Sequence, residues 1–143
     1  MNSEREILGL MNQYCYAIDT GDLEALGRLL EHAEWIAEGK KATPETSANI
    51  ILYSNGTPRT RHTTSNVAVE IDDVNGTAKG RCYVTVFQQT PDFPLQPIFS
   101  GDYYDEFERV DGQWRFKKRE IRNSLIGDMS AHLKNPSDTI PGA

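Results

Sequence analysis

Residues 99–123 read FSGDYYDEFERVDGQWRFKKREIRN. They divide into two long runs, Phe99 to Val110 and Gln113 to Asn123, broken at Asp111-Gly112. That dipeptide tolerates the left-handed backbone of a tight hairpin, so the stretch reads as two antiparallel strands. Arg115, Lys117, Lys118, Arg119 and Arg122 form the basic run of the chain. Trp114, Phe116 and Ile121 interleave with them, which marks a strand and not a solvated tail.

Upstream the same organisation recurs. Thr77 to Gln88 places Cys82, Val84 and Val86 on one side and Tyr83 and Phe87 on the other. Thr60 to Asp72 reaches it through Asp73-Val74-Asn75-Gly76, a further hairpin signal. Gln89 to Pro97, with Pro91, Pro94 and Pro97, reads as a loop able to rim a cavity. Helices come before these strands. Ser3 and Glu6 form an S-x-x-E capping box for a first helix whose apolar positions Ile7, Leu10, Met11, Tyr14 and Ile18 keep the helical period. Gly21 suits the left-handed position after its end, and Asp22 caps a second helix carrying Leu23, Leu26, Leu29 and Leu30. Ala33 to Glu38 is a short strand stopped by Gly39. Thr43-Pro44 opens a third helix expected to run to about Tyr53. Helices first and antiparallel strands afterwards make an α+β fold.

With 143 residues, 38% of them hydrophobic and 25% charged, the chain is read as one globular domain over 1–143. Its core spans about 4–125, with a C-terminal tail over 126–143. A net charge of -6 argues against a nucleic-acid partner. No apolar run approaches the roughly 20 residues of a membrane span, and the charged start lacks the pattern of a signal peptide. A cytoplasmic location is therefore expected, with Cys15 and Cys82 as packed free thiols. His32 and His132 stand in separate polar contexts, and no histidines have metal-ligand spacing, so no metal is expected. The chain has no glycine-rich phosphate loop either.

Two polar residues sit where the pattern calls for apolar ones: Asp19, on the edge of the buried face of the first helix, and His62, at the start of the β-rich part. A carboxylate there is costly unless paired, and an imidazole is its natural partner. Paired at the back of a cavity, the two make a general base. Strict alternation, however, puts Val67, Val69 and Ile71 on the face opposite His62. The strand must then carry a bulge between His62 and Val67, or both its faces must be covered.

Four stretches carry a resemblance: Y-x-x-A-I-D-T-G-D at Tyr14 to Asp22, A-E-W-I-A-E-G at Ala33 to Gly39, R-H-T-T-S-N at Arg61 to Asn66, and Gly101 to Arg119. In this order the chain resembles the SnoaL-like branch of the nuclear transport factor 2-like superfamily. The resemblance implies a cone-shaped α+β barrel, in which a curved, mostly antiparallel sheet is wrapped by three N-terminal helices around an apolar pocket. Superfamily members include scytalone dehydratase, a dehydrochlorinase, bile-acid dehydratase, polyketide cyclases and ketosteroid isomerase, besides the non-catalytic β subunits of aromatic-ring-hydroxylating dioxygenases. By resemblance, Asp19 and His62 are the dyad of the dehydratases, Tyr14 a hydroxyl donor and Arg119 a stabiliser of negative charge. Tyr14 also suits plain core packing, and strand position alone suits a solvated Arg119. Trp35, Tyr53, Phe87, Phe99 and Tyr103 are the expected pocket lining. The implied activity is that of a lyase or isomerase, needing no cofactor, acting on a small cyclic apolar molecule. The alternatives are a non-catalytic subunit and a small-ligand binder. A homodimer or homotrimer is implied as well.

Overall fold

The computed structural model describes residues 2–42 and 47–135. Helix α1 (Ser3–Asp19) and helix α2 (Leu23–Leu29) precede strands β1 (Glu34–Ala37), β2 (Lys40–Lys41), β3 (Thr60–Asp72), β4 (Thr77–Thr90), β5 (Phe93–Val110) and β6 (Gln113–Ile126). The strands form one sheet in the order β2-β1-β6-β5-β4-β3. Neighbours are antiparallel except β1 and β6, which run parallel. Both long hairpins turn where the sequence predicts. Asp111 and Gly112 have φ of 52° and 79°, the left-handed pair that matches the twist of the strands.

The sheet is curved, and α1 packs against its β3 and β6 as well as against α2. Ile7, Met11, Tyr14 and Ile18 of α1 meet Ala78, Cys82, Val84 and Val86 of β4 and Tyr103 and Phe107 of β5 in one core. On β4 every second residue from Ala78 to Thr90 is buried, as expected of a strand with one face inside. Cys15 and Cys82 are buried and free. Among the described residues no helix is long and apolar enough to cross a membrane.

Four local expectations change. Asn2, not Ser3, caps α1 by accepting from the Arg5 N–H at 3.2 Å, and the Ser3 hydroxyl donates to Asp73 instead. The proline-rich loop shrinks to a turn at residues 91–92, because β4 runs on to Thr90 and β5 starts at Phe93. Register shifts between Val86 and Phe87 and between Gln88 and Thr90 let Pro94 and Pro97 sit in a strand that lacks their N–H groups. The predicted start of a third helix, Thr43-Pro44, lies outside the described residues. Ser47 and Ala48 are helical, but the helix stops short of the expected end near Tyr53: Ile50 bridges Leu133, and the Tyr53 N–H donates to the Thr57 carbonyl. Finally, the first part of the C-terminal tail is bound to the body of the fold.

Residues 127–135 form a strap. The Gly127 N–H donates to Ile98, the Ile51 N–H to His132 and the Lys134 N–H to Asn49, each at 2.8 Å. Gln88 Nε2 and the Tyr53 hydroxyl both donate to the Ala131 carbonyl. Met129, His132 and Leu133 are buried beneath it.

The turn between the helices depends on one glycine. Gly21 has φ of 75°, and a Cβ there would fall 1.9 Å from the Gly56 carbonyl oxygen. Gly21→Ala is expected to cost at least about 1–3 kcal/mol, read as a lower denaturation midpoint at unchanged slope. A wild-type midpoint would show that the turn is not constrained in this way.

Candidate functional site

Asp19 is the last residue of α1, so its side chain leaves the helix where Thr20 and Gly21 break the spiral. There it meets the first residues of β3. Asp19 Oδ1 lies 2.6 Å from His62 Nδ1 and accepts the Thr60 hydroxyl at 2.8 Å, while Oδ2 accepts the His62 backbone N–H at 2.7 Å. The His62 side chain is 0% exposed and that of Asp19 14%. A carboxylate only accepts, so it holds the proton on Nδ1 and leaves Nε2 with its lone pair. Nε2 is buried and has no partner.

The conflict of alternation is resolved by a bulge. The register of β3 on β4 shifts between Ser65 and Ala68, with Asn66 at φ of 54°. Thr60 and His62 face inward before the bulge, Val67 lies within it and is exposed, and Val69 and Ile71 pack on the core after it. One extra residue therefore lets a single strand present a polar group and an apolar run to the same interior.

A third group was not expected. His132, on the strap, is fully buried, with its ring centroid 6.4 Å from that of His62 and the planes at 65°. Neither of its ring nitrogens has a partner. Its sequence neighbourhood is polar, and the 70 positions that separate it from His62 hide the approach; only the flanking Met129 and Leu133 hint that this segment is buried. Burial pushes its pKa from 6.5 down to about 3, with His62 acting in the same direction and Asp19 opposing. The unfolded chain then binds a proton that the folded chain refuses, so the stability gained from a neutral His132 is complete above pH 6.5. It is lost as pH falls towards 3, at up to about 1.4 kcal/mol per pH unit. His132→Phe is expected to flatten that part of the stability profile, measured by denaturant unfolding at pH 4 to 7. A profile that keeps the wild-type slope would assign the loss to other groups.

Arg119 and Tyr14 belong to a second cluster. Cross-strand register sets Arg119 opposite Asp105 on β5 and opposite Trp35 on β1. Its guanidinium is not solvated, as strand position alone suggests, but 0% exposed. Nε and Nη2 donate to the two carboxylate oxygens of Asp105, each at 2.8 Å. The same plane stacks 4.2 Å from the Tyr14 ring centroid, 4.0 Å from Tyr103 and 4.8 Å from Phe116. Asp105 holds Arg119 firmly charged against the opposing effect of burial; burial pushes the Asp105 carboxyl up, and the two guanidinium bonds pull it back. Burial also raises the Tyr14 hydroxyl, with Arg119 opposing, and lifts the Cys15 and Cys82 thiols to about 11 and 12, so neither is a ready nucleophile. Arg119 Nη1 is buried without a hydrogen-bond partner, and the buried Tyr14 and Tyr103 hydroxyls lie near enough to act on each other. Asp105 could have been suspected only once the register of β5 on β6 was known.

No hydrogen bond, ion pair or ring contact joins the two clusters among the described residues. His62 pairs with Val86 and Tyr103 with Cys82 on β4, four residues apart, which is roughly 13 Å along the strand. Of the expected lining, Trp35 borders a hollow of about 530 Å³ with Leu23, Leu26, Leu30 and Ala42. Phe99 is buried beside Gly101, and Tyr53 is half-buried against the strap. Phe87 alternates away from the core face of β4 and borders a hollow of about 500 Å³ with Asp19, Arg59 and Leu95. Among the described residues no three His, Cys, Asp or Glu side chains are grouped to hold a metal ion.

A curved sheet closed by helices over buried polar side chains defines the α+β cone of the nuclear transport factor 2-like superfamily. Within that class the chain belongs to the SnoaL-like domain family, whose model matches residues 1–120. No curated protein matches it. Among solved structures it is similar to a putative scytalone dehydratase from Novosphingobium aromaticivorans, at 29% identity over 94% of this chain and 93% of that one, with a TM-score of 0.70. It is also similar to a variant of Rv3472, a protein of unknown function from Mycobacterium tuberculosis, at 26% identity over 93% and 78% of the chains, TM-score 0.68. A putative aromatic ring hydroxylase from Novosphingobium aromaticivorans shares the fold, at 21% identity over 88% and 93%, TM-score 0.68.

Proposed function

We propose that the chain is a cofactor-independent lyase or isomerase in which His62, oriented by Asp19, removes a proton from a carbon of a small, mostly apolar ring compound. One observation carries this reading: the Nδ1 of His62 is held by a carboxylate at 2.6 Å while its Nε2 stands buried and uncommitted. Asp19 fixes the tautomer and stabilises the imidazolium that forms. The imidazolium then returns the proton to another carbon, in an isomerisation, or to a leaving oxygen, in a dehydration. Tyr14 and Arg119 are the donors of the second cluster. Because Asp105 neutralises Arg119, its part is that of one oriented N–H, Nη1, and not of a free cation. A substrate that touches both clusters must span the interior.

The similarity to a putative scytalone dehydratase favours elimination within this pair. The subunit reading requires a large apolar outer face on the sheet, whereas the outer positions of β4, β5 and β6 include Lys79, Arg81, Asp102, Glu106, Lys118, Glu120 and Arg122. The test is hydrogen–deuterium exchange at the acidic α-carbons of 2-indanone in D2O. The wild-type chain should accelerate it above buffer, and His62→Ala should not.

A further inference from the structure

The strap brings a second imidazole to the base. We propose that His132 is a substrate-contacting residue that donates a hydrogen bond to an oxygen carried next to the carbon that His62 deprotonates. This rests on the Asp19–His62 reading above and extends it to the substrate: the ring must bear an oxygen at that point.

The main chain fixes His132. Its backbone N–H donates to the Met129 carbonyl at 3.0 Å, and its carbonyl accepts the Ile51 N–H at 2.8 Å. The ring thus has no backbone work left, yet it is fully buried with both nitrogens unpartnered, facing His62 across 6.4 Å between centroids. Buried polar atoms are as a rule satisfied, and leaving one orphaned is costly. Here three uncommitted nitrogens, Nε2 of His62 and both of His132, sit on two buried rings whose centroids are 6.4 Å apart. A hydrocarbon surface cannot satisfy them. A carbonyl oxygen seated there satisfies the N–H of His132, and the acidic C–H beside it meets the lone pair of His62.

A neutral imidazole offers one N–H and one lone pair. A carbonyl oxygen only accepts, so the nitrogen of His132 that meets it carries the proton. When the α-proton passes to His62 Nε2, the C–H electron pair forms a C=C bond and the C=O π pair moves onto oxygen. His132 keeps its own proton and holds that developing anion by the hydrogen bond. Return of the proton from His62 to carbon restores the ketone, so atoms and charge balance and no co-reactant is needed.

The test uses the full chain with ¹⁵N-labelled histidine and two probes, 2-indanone and its oxygen-free counterpart indane. 2-Indanone is expected to shift the ring nitrogens of His132, and indane to leave them unmoved. His132→Phe should weaken 2-indanone roughly tenfold, the loss of one good hydrogen bond, without weakening indane. His132→Gln, which retains an N–H donor, should recover part of that loss. The proposal is overturned if 2-indanone leaves the His132 signals unmoved, or if His132→Phe weakens both probes equally. The dyad reading is judged separately: if exchange at 2-indanone depends on His62 while His132 stays silent, only this inference fails. If exchange is the same with and without His62, the dyad reading fails.

Discussion

His62→Ala is expected to lower the α-proton exchange of 2-indanone by about 10²–10⁴-fold, the usual contribution of a positioned general base. The fold should survive the change. Of the three contacts that Asp19 makes here, two do not involve the imidazole: the backbone N–H at position 62 and the Thr60 hydroxyl. The carboxylate therefore stays anchored, and an alanine variant that loses exchange but unfolds near the wild-type midpoint separates chemistry from stability. Asp19→Asn gives the comparison. It keeps the shape but removes the charge and leaves one acceptor oxygen for three donors, so Nδ1 is no longer held as a donor by a carboxylate, and exchange should fall while binding of 2-indanone changes little. Undiminished exchange in His62→Ala would remove the base from this protein, whatever the second cluster does.

The other large effect is on stability. Asp105→Ala is expected to cost about 3–5 kcal/mol, because it strands the fully buried Arg119 guanidinium without its carboxylate. Stacking on Tyr14, Tyr103 and Phe116 is no substitute for an opposite charge. Replacing both partners, as in Asp105→Leu with Arg119→Met, should recover most of the loss, since a buried ion pair and a well-packed apolar pair are often similar in stability. Urea midpoints for Asp105→Leu, Arg119→Met and the double close the cycle. A single-mutant cost below about 1 kcal/mol would mean that water reaches the guanidinium. The double variant has a further use: a chain that folds but no longer exchanges α-protons would give Arg119 a part in the chemistry beyond holding the core.

Much of this architecture was legible because turns and alternation are local. Asp111-Gly112 and Asp72 to Gly76 set both hairpins, and the polar-then-apolar conflict along β3 called for a bulge that now lies at residues 65–68. Asp19 and His62 could be singled out as polar residues in the wrong company, although 43 positions separate them. What stayed hidden depends on contacts distant in sequence. Asp105 looks like any strand aspartate until the register of β5 on β6 sets it opposite Arg119. His132 looks like a tail residue until hydrogen bonds with residues 49–53 and 88 draw the strap inward. Alternation put Phe87 beside Tyr83, on the other side from Val86, and the hollow it borders there with Asp19 depends on contacts that the sequence does not show.

The strap has a corollary. The family match stops at residue 120, and the second imidazole arrives twelve residues later on a segment tied down mainly through its backbone. Main-chain anchors are indifferent to most side-chain substitutions. The group opposite the base can therefore be exchanged without touching the cone.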